Sequence, residues 1–336
     1  MLIAGDIGGT KTDLAIYSNE SGPHAPLAQT EVRSADYPSL PAMVTEFLAQ
    51  VKISVEVASF DVAGPVINGR VKTTNLPWVM DEITLASDLN LKAAHLMNDL
   101  EAVARAVPAL RAEDMITINQ GEPVTHGPIA VVAPGTGLGE SFLTWDGSQY
   151  LSHGSEGGHS DFAPTDERQI RLLHYLLPRF GHVGVERVCS GIGVPNLYEF
   201  LRDEENIPER PEVAQLIASA KDHTKAIVES AFDSQHPSEL CLATVDLLVS
   251  ILASEAGNLA LKVLATGGVY LAGGIALHLM KLLQQPQFVQ TFTRKGRFKD
   301  LMERMPIHVI TTRAALVGAA TFGLQSLSRL KNREAA

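Results

Sequence analysis

The stretch LIAGDIGGTKTDLAIY, residues 2–17, decides the fold: two apolar runs joined by a glycine-rich turn. A second stretch of the same kind, APGTGLG at 133–139, is followed by SFLTWDGSQYLS. Glycine reaches positive φ cheaply and carries no Cβ, so such a turn aims consecutive backbone N–H groups at an anion. A dinucleotide fingerprint is excluded because its glycines must open a helix, whereas the chain after Gly139 reaches the turn signal Asp146-Gly147. A P-loop is excluded as well. Gly5 and Lys11-Thr12 are in place, but Thr10 occupies the second glycine position and the strand-like LAIY follows. Two strand-turn-strand clamps gripping one polyphosphate are expected, and the alternative is a pair of hairpin turns with no ligand.

Composition narrows the class. At 336 residues, with 45% hydrophobic and 19% charged side chains, the chain can build two cores of ordinary size. A net charge of −11 argues against a nucleic-acid partner. The basic run RKGRFK, residues 294–299, is expected to be a solvated loop before a helix over LMERM. Cys189 and Cys241 are too few for a disulfide framework or a cysteine-rich zinc site and suit a reducing cytoplasm. The chain enters its first strand at Leu2 with no basic leader, and no run reaches about 18 apolar residues. Neither export nor membrane spanning is expected, and the final NREAA is expected to fray.

Aligning Gly8 with Gly135 sets two strand-turn-strand units 127 residues apart, an arrangement that predicts a duplicated α/β architecture. In the first half, 56–66 reads as a strand, Asn68-Gly69 as a hairpin turn and 70–74 as the partner strand. Helical spacing covers 38–51 and 100–107, the latter with Leu100, Val103, Ala104 and Val107 on one face toward a sheet. The polar, turn-rich run 108–125 suggests a boundary near residue 110. Beyond it, helices are predicted over 167–179, 193–201, 211–220, 224–230 and 237–264. VYLAGGIA, residues 269–276, reads as a strand entering a Gly-Gly turn, and a closing helix covers 314–330.

The segment AAHLMNDLEAVARAV puts Asn98 and Asp99 where a strand ends and a helix begins, a place for a catalytic side chain and equally for a helix N-cap. Glu156 and His159 lie in SEGGHSDFAP, a glycine-containing loop with no apolar period, and read either as ligand-binding groups or as ordinary surface polarity. Glu186, among Val183, Val185 and Val188, is either a partly buried carboxylate wanting a partner or a surface glutamate beside Arg187.

Together GDIGGTKT, LMNDLEAVA, APGTGLG, EGGHSDFAP, GHVGVERVCSG, LAGGIA and AALVGAA resemble the bacterial glucokinases of the hexokinase and actin superfamily, nearly end to end. The resemblance implies an α/β, two-lobed actin-like or ribonuclease H-like fold with an interdomain cleft. It implies a small domain over 1–109 with 312–336 and a large one over 110–311. The implied reaction is ATP-dependent phosphorylation of D-glucose to glucose 6-phosphate, the first step of glucose use in glycolysis, in a cytoplasmic homodimer. Asp99 would be the general base toward the sugar 6-hydroxyl, and Asn98, Asp99, Glu156, His159 and Glu186 would hold the sugar. Gly5, Asp6, Ile7, Gly8, Gly9 and Thr10, with Gly135, Thr136 and Gly137, would cradle the phosphates. Gly273 and Gly274 would admit the adenosine, and Asp6 would orient Mg2+ through water.

These roles match what phosphoryl transfer demands of a protein: alignment, neutralisation of charge and a placed base. An aspartate of ordinary pKa near ~3.9 is ionised at neutral pH, and its weak basicity suffices if the proton moves late. Two positions depart from the family. Lys11 stands where many proteobacterial glucokinases carry Asn and resembles the repressor and open-reading-frame sugar kinases, whose zinc-binding cysteine cluster is absent from this sequence. Glu140 follows the second turn directly and would repel phosphate unless strand alternation points it away. The alternatives are a kinase for another hexose or another phosphate donor, a non-catalytic sugar sensor, or an actin-like ATPase.

Overall fold

The computed structural model describes residues 1–73 and 76–335. It comprises two compact units: Met1–Asp114 with Tyr150–Ser152 and Thr312–Ala336, and Met115–Gln149 with His153–Thr311.

The first unit holds β1 (Leu2–Ile7), β2 (Lys11–Tyr17), β3 (Ala28–Arg33), α1 (Leu40–Val51), β4 (Val57–Val62), β5 (Arg70–Lys72), β6 (Val79–Asp81), α2 (Glu82–Asp88), β7 (Ala93–Asn98) and α3 (Asp99–Ala106), with a C-terminal helix, Ala314–Ala335. Its main sheet runs β3-β2-β1-β4-β7. The strands β1, β2 and β3 pair antiparallel, while β1, β4 and β7 pair parallel. Parallel strands covered on both faces read as continuous apolar runs, as VASFDV does. Ile3, Ile7, Phe60 and Leu96 pack against Leu40, Met43 and Phe47 of α1 on one face. Leu2, Ala4, Ala15 and Val57 meet Leu316, Ala320 and Leu327 of the C-terminal helix on the other.

The second unit adds β8 (Met115–Asn119), β9 (Ile129–Pro134), β10 (Leu138–Trp145), β11 (Tyr150–Ser155), α4 (Glu167–Phe180), α5 (Val194–Asp203), α6 (Pro211–Ser219), α7 (His223–Ala231), α8 (Glu239–Val263), β12 (Gly268–Leu271), α9 (Gly274–His278), α10 (Met280–Leu283), α11 (Pro286–Thr293), α12 (Lys299–Glu303) and β13 (Ile307–Ile310). Its sheet runs β11-β10-β9-β12-β13-β8. The order β10-β9-β12-β13 repeats β2-β1-β4-β7, antiparallel first and parallel after, so the duplication expected from the two glycine turns is present in topology. Helix α8 is the axis of this core and is buried along most of its length. It is also the one helix among the described residues long and apolar enough to cross a membrane.

Several local expectations are corrected. The Asn68-Gly69 turn forms, with φ of 51° and 72°, and Ile67 and Arg70 exchange backbone hydrogen bonds across it. Beyond that bridge Arg70–Lys72 pairs with Val79–Asp81 and not with the preceding strand, which ends at Val62 between β1 and β7 with no free edge; Thr74, expected in this strand, lies outside the described residues. Helix α3 packs chiefly on the C-terminal helix and buries Ala102, Ala104 and Ala106. Gly318 makes this possible, because a Cβ there would stand 1.7 Å from the Ala102 carbonyl oxygen. The run expected to be turn-rich from 108 to 125 contains β8, paired antiparallel with β13. The closing helix continues to Ala335, through residues expected to fray; Ala336 lies outside the described residues. Lys295, expected in a solvated loop, is partly buried and donates to the Ser254 carbonyl and Asn258 Oδ1.

Candidate active site

In the first unit, strand register gathers the candidate groups at one edge. Ile7, Val62 and Asn98 are successive partners across β1, β4 and β7, so Asp99 and the Gly8–Thr10 turn leave the sheet at the same carboxyl end. Two strand spacings, about 10 Å, separate those chain positions. Asn98 is the N-cap of α3: its Oδ1 accepts from the Leu100 N–H at 2.9 Å, and its Nδ2 donates to the Gly64 carbonyl at 3.1 Å. The Asp99 carboxylate also accepts from Leu100 N–H, at 2.8 Å. Its pKa is raised, first by desolvation, against hydrogen bonds that pull it down. A raised value makes Asp99 a better proton acceptor.

The first turn is a tight hairpin. Gly8 N–H bonds to the Lys11 carbonyl at 3.0 Å, and Ser34 Oγ donates to the Gly8 carbonyl at 2.7 Å. Positive φ is not what its glycines provide, since Gly8 and Gly9 are absent from the left-handed region. Close approach is: a Cβ on Gly8 would lie 2.6 Å from the Lys11 oxygen. Lys11 itself pairs with Glu31.

One rung of this sheet carries four carboxylates, with Glu31, Asp13, Asp6 and Asp61 successive partners across β3, β2, β1 and β4. Arg313 pairs with Asp13 and Glu31 at one end of the row. At the other end Asp61 is fully buried, neither of its oxygens meets a donor, and burial together with Asp6 pushes its pKa well up. Asp6 is raised by burial too. Two carboxyls so placed are satisfied either by one shared proton or by a cation, and among the described residues no three His, Cys, Asp or Glu side chains form a cage for one. That pattern fits Mg2+, which is held by one or two carboxylates with water and substrate phosphates completing its shell.

In the second unit, the turn between β9 and β10 is closed by Gly135 N–H to the Gly137 carbonyl at 2.9 Å. Gly191 and Ile192 donate to the Gly135 and Thr136 carbonyls, which locks the turn to the start of α5. Glu186 Oε2 accepts from the Leu138 N–H at 3.0 Å, so this glutamate braces the turn. The loop with Glu156 and His159 packs on the same cluster: Gly158 sits where a Cβ would be 2.2 Å from the Leu138 oxygen, and Val185 N–H reaches the Ser160 carbonyl. Glu156 and His159 are exposed, their side chains 3.8 Å apart. Gly273 does need its freedom, with φ of 87° and a virtual Cβ 2.6 Å from the Pro134 oxygen.

Beside this turn opens a cavity of about 900 Å3 lined by Gly135, Thr136, Gly274, Lys221, His223 and His278, among others. It is large enough for a nucleoside, and it lies outside the carboxyl ends of β9 and β12, where open α/β sheets bind ligands. Sequence reading missed its 221–225 wall, where Asp222 shows only as an N-cap of α7, and it missed Asp61, Arg313 and Ser34 altogether.

Sheet order, the two glycine turns and the carboxylates at the strand ends define a sugar kinase of the actin-like ATPase fold. The model of the glucokinase family matches residues 3–326, and the chain belongs to that family. It is similar to a glucokinase of Trichormus variabilis, 41% identical over 95% of this chain and 98% of the relative. Among solved structures, a glucokinase from an Antarctic psychrotroph is 29% identical, with a TM-score of 0.85 over 96% of this chain and 98% of that one. A ROK family glucokinase from Streptomyces griseus, solved in complex with glucose and AMPPNP, shares the fold at 19% identity and a TM-score of 0.60, over 96% of this chain and 99% of that one.

Proposed function

We propose how this member of the glucokinase family performs the ATP-dependent phosphorylation of glucose. Asp99 takes the proton of the 6-hydroxyl as that oxygen bonds to the γ-phosphorus of ATP and the bond to the β,γ-bridging oxygen breaks, releasing ADP. Asn98, Asp99, Glu156, His159 and Glu186 hydrogen-bond the sugar hydroxyls. A hydroxyl of the wrong configuration would leave such groups unpaired, which is how polar sites reject epimers. Backbone N–H groups of Gly5 to Thr10 and of Gly135 to Gly137 receive the phosphates, and the cavity beside Gly274 receives the adenosine. Asp6 holds Mg2+, with Asp61 behind it; the ion supplies neutralisation of phosphate charge when bound. The ATP analogue and glucose held by the Streptomyces griseus protein support this reading.

The functional division follows 1–109 with 312–336 against 110–311, supported by compact units that part at Asp114 and Thr312. A cytoplasmic homodimer without nucleic-acid or membrane partners completes the proposal, supported by the net charge of −11 and the family resemblance.

The observation that carries the catalytic assignment is the register that sets Asp99 at the same sheet edge as the first glycine turn. The test is Asp99→Ala: turnover is lost while calorimetric glucose binding persists. Near-normal turnover by this variant removes Asp99 from the mechanism.

A further inference from the structure

Glu140, the acid beside the second glycine turn, points away from that turn into the core of its unit. It is 1% exposed, and Glu255 of α8, which it meets side chain to side chain, is 4% exposed. Glu255 Oε2 accepts from Asn258 Nδ2 at 3.0 Å, whereas Oε1 of Glu255 and Oε1 of Glu140 have no donor. Two buried carboxyl oxygens in this position satisfy each other only through one proton. The other Glu140 oxygen presses on the backbone of Gly157: a Cβ on that glycine would stand 1.8 Å from Oε2. Gly157 in turn anchors its loop, receiving Ser160 N–H and Oγ–H on its carbonyl and donating its N–H to Ser155 Oγ.

We propose that Glu140 is a positioning residue for the sugar site: it donates the proton it shares with Glu255 and, seated under Gly157, holds the 155–160 loop so that Glu156 and His159 face glucose. The proposal rests on the reading that this loop binds the sugar. Burial first, and Glu255 second, push the Glu140 carboxyl up from 4.5 to about 7, so the shared proton leaves near neutral pH. Lys262, 3.9 Å from Glu255 Oε1, opposes that shift from the surface. Lys295 is engaged by Ser254 and Asn258, and the buried Cys189 thiol, raised by desolvation and by both glutamates, stays protonated. No other titratable group faces the pair among the described residues. Because the folded-state value is raised, the clasp is fully formed below about 4.5 and is lost as pH rises through about 7.

The test compares wild type with Glu140→Gln, whose amide donates to Glu255 at every pH, and with Glu255→Gln, which accepts and donates without a shared proton. From pH 6 to 8.5 the wild-type Kd for glucose by calorimetry, and KM with it, rises about tenfold, while kcat moves less than twofold. Either glutamine variant flattens the rise, and the difference from wild type isolates the pair from every other titrating group. Two variants guard against one failing to fold. A wild-type Kd that is flat with pH, or a rise that persists unchanged in a folded variant, overturns the proposal. Glu156→Ala at pH 6 separates the two readings: if it leaves glucose affinity intact the sugar-loop assignment fails, and if it weakens affinity while the pH profiles coincide only the Glu140 clasp fails.

Discussion

Asp6 and Asp61 are direct partners on adjacent parallel strands, in the same row as Asp13, and Asp61 lies fully buried with no donor on either oxygen. Parallel neighbours in register point to one face of a sheet, so this pair is a consequence of pairing and not of sequence spacing. It sets two buried carboxyl groups beside the first glycine turn, where the proposed Mg2+ would bind.

Burial and the neighbouring Asp6 favour the protonated form of Asp61, which can donate that proton to Asp6. Asp61→Asn keeps a neutral donor in the place of that proton, so its Tm without metal is expected to stay within about 2 °C of wild type, under roughly 1 kcal/mol. Adding Mg2+ raises the wild-type Tm and has a smaller effect on the variant. Calorimetric scans with EDTA and with Mg2+ measure both, and a metal-free Tm raised by several degrees in the variant contradicts the shared proton.

Loss of the Asp99 carboxylate removes the proposed base but no packing contact. Asp99→Asn is expected to reduce kcat by roughly 10²- to 10⁴-fold, the usual contribution of a general base, with Tm unchanged. Coupled assay and thermal melts check this.

Asn98 has a structural duty as well as its proposed sugar contact. Asn98→Ala deletes the N-cap and the tie to Gly64, so about 1–2 kcal/mol of stability should go, together with glucose affinity. Asn98→Asp keeps the cap acceptor but turns an oxygen toward the Gly64 carbonyl, so in urea titrations it should recover only the cap's share of the stability.

The two glycines of the second turn should respond differently to alanine. A Cβ at Gly135 meets nothing within 4 Å, so Gly135→Ala leaves Tm unchanged and raises KM for ATP by occupying phosphate space. At Gly137 the Cβ would lie 2.3 Å from Glu186 Oε2 and push that brace off the Leu138 N–H. Gly137→Ala therefore weakens both ATP and glucose binding, and melts, ATP kinetics and glucose calorimetry together separate the cases.

Close helix packing sets the tolerance at Gly318. Any side chain there meets the Ala102 carbonyl, so Gly318→Val should destabilise by about 1–3 kcal/mol through overpacking, read as a lower urea midpoint with an unchanged slope.

Much of the fold was legible because its signals are local. Glycine turns between apolar runs gave the paired hairpins, and Asp166, Asp222 and Ser238, each accepting from the N–H three residues on, cap helices whose spacing predicted them. Where reading failed, the deciding partner was remote. Residues 70–72 found β6 because β4 was already flanked by β1 and β7, and α3 turned to the C-terminal helix because Gly318 admits its backbone.

The sequence by itself determined the duplicated strand-turn-strand plan, the strand-to-helix junction holding Asn98 and Asp99, and membership in a sugar kinase family, since each depends on neighbours a few residues apart or on motifs in order. Only tertiary structure decided that Asp61 backs Asp6, that Glu186 braces Leu138, and that Glu140 turns inward onto Glu255 and Gly157. Those pairings join residues 17 to 115 positions apart in the chain, and the protonation of a buried carboxyl depends on which partner arrives.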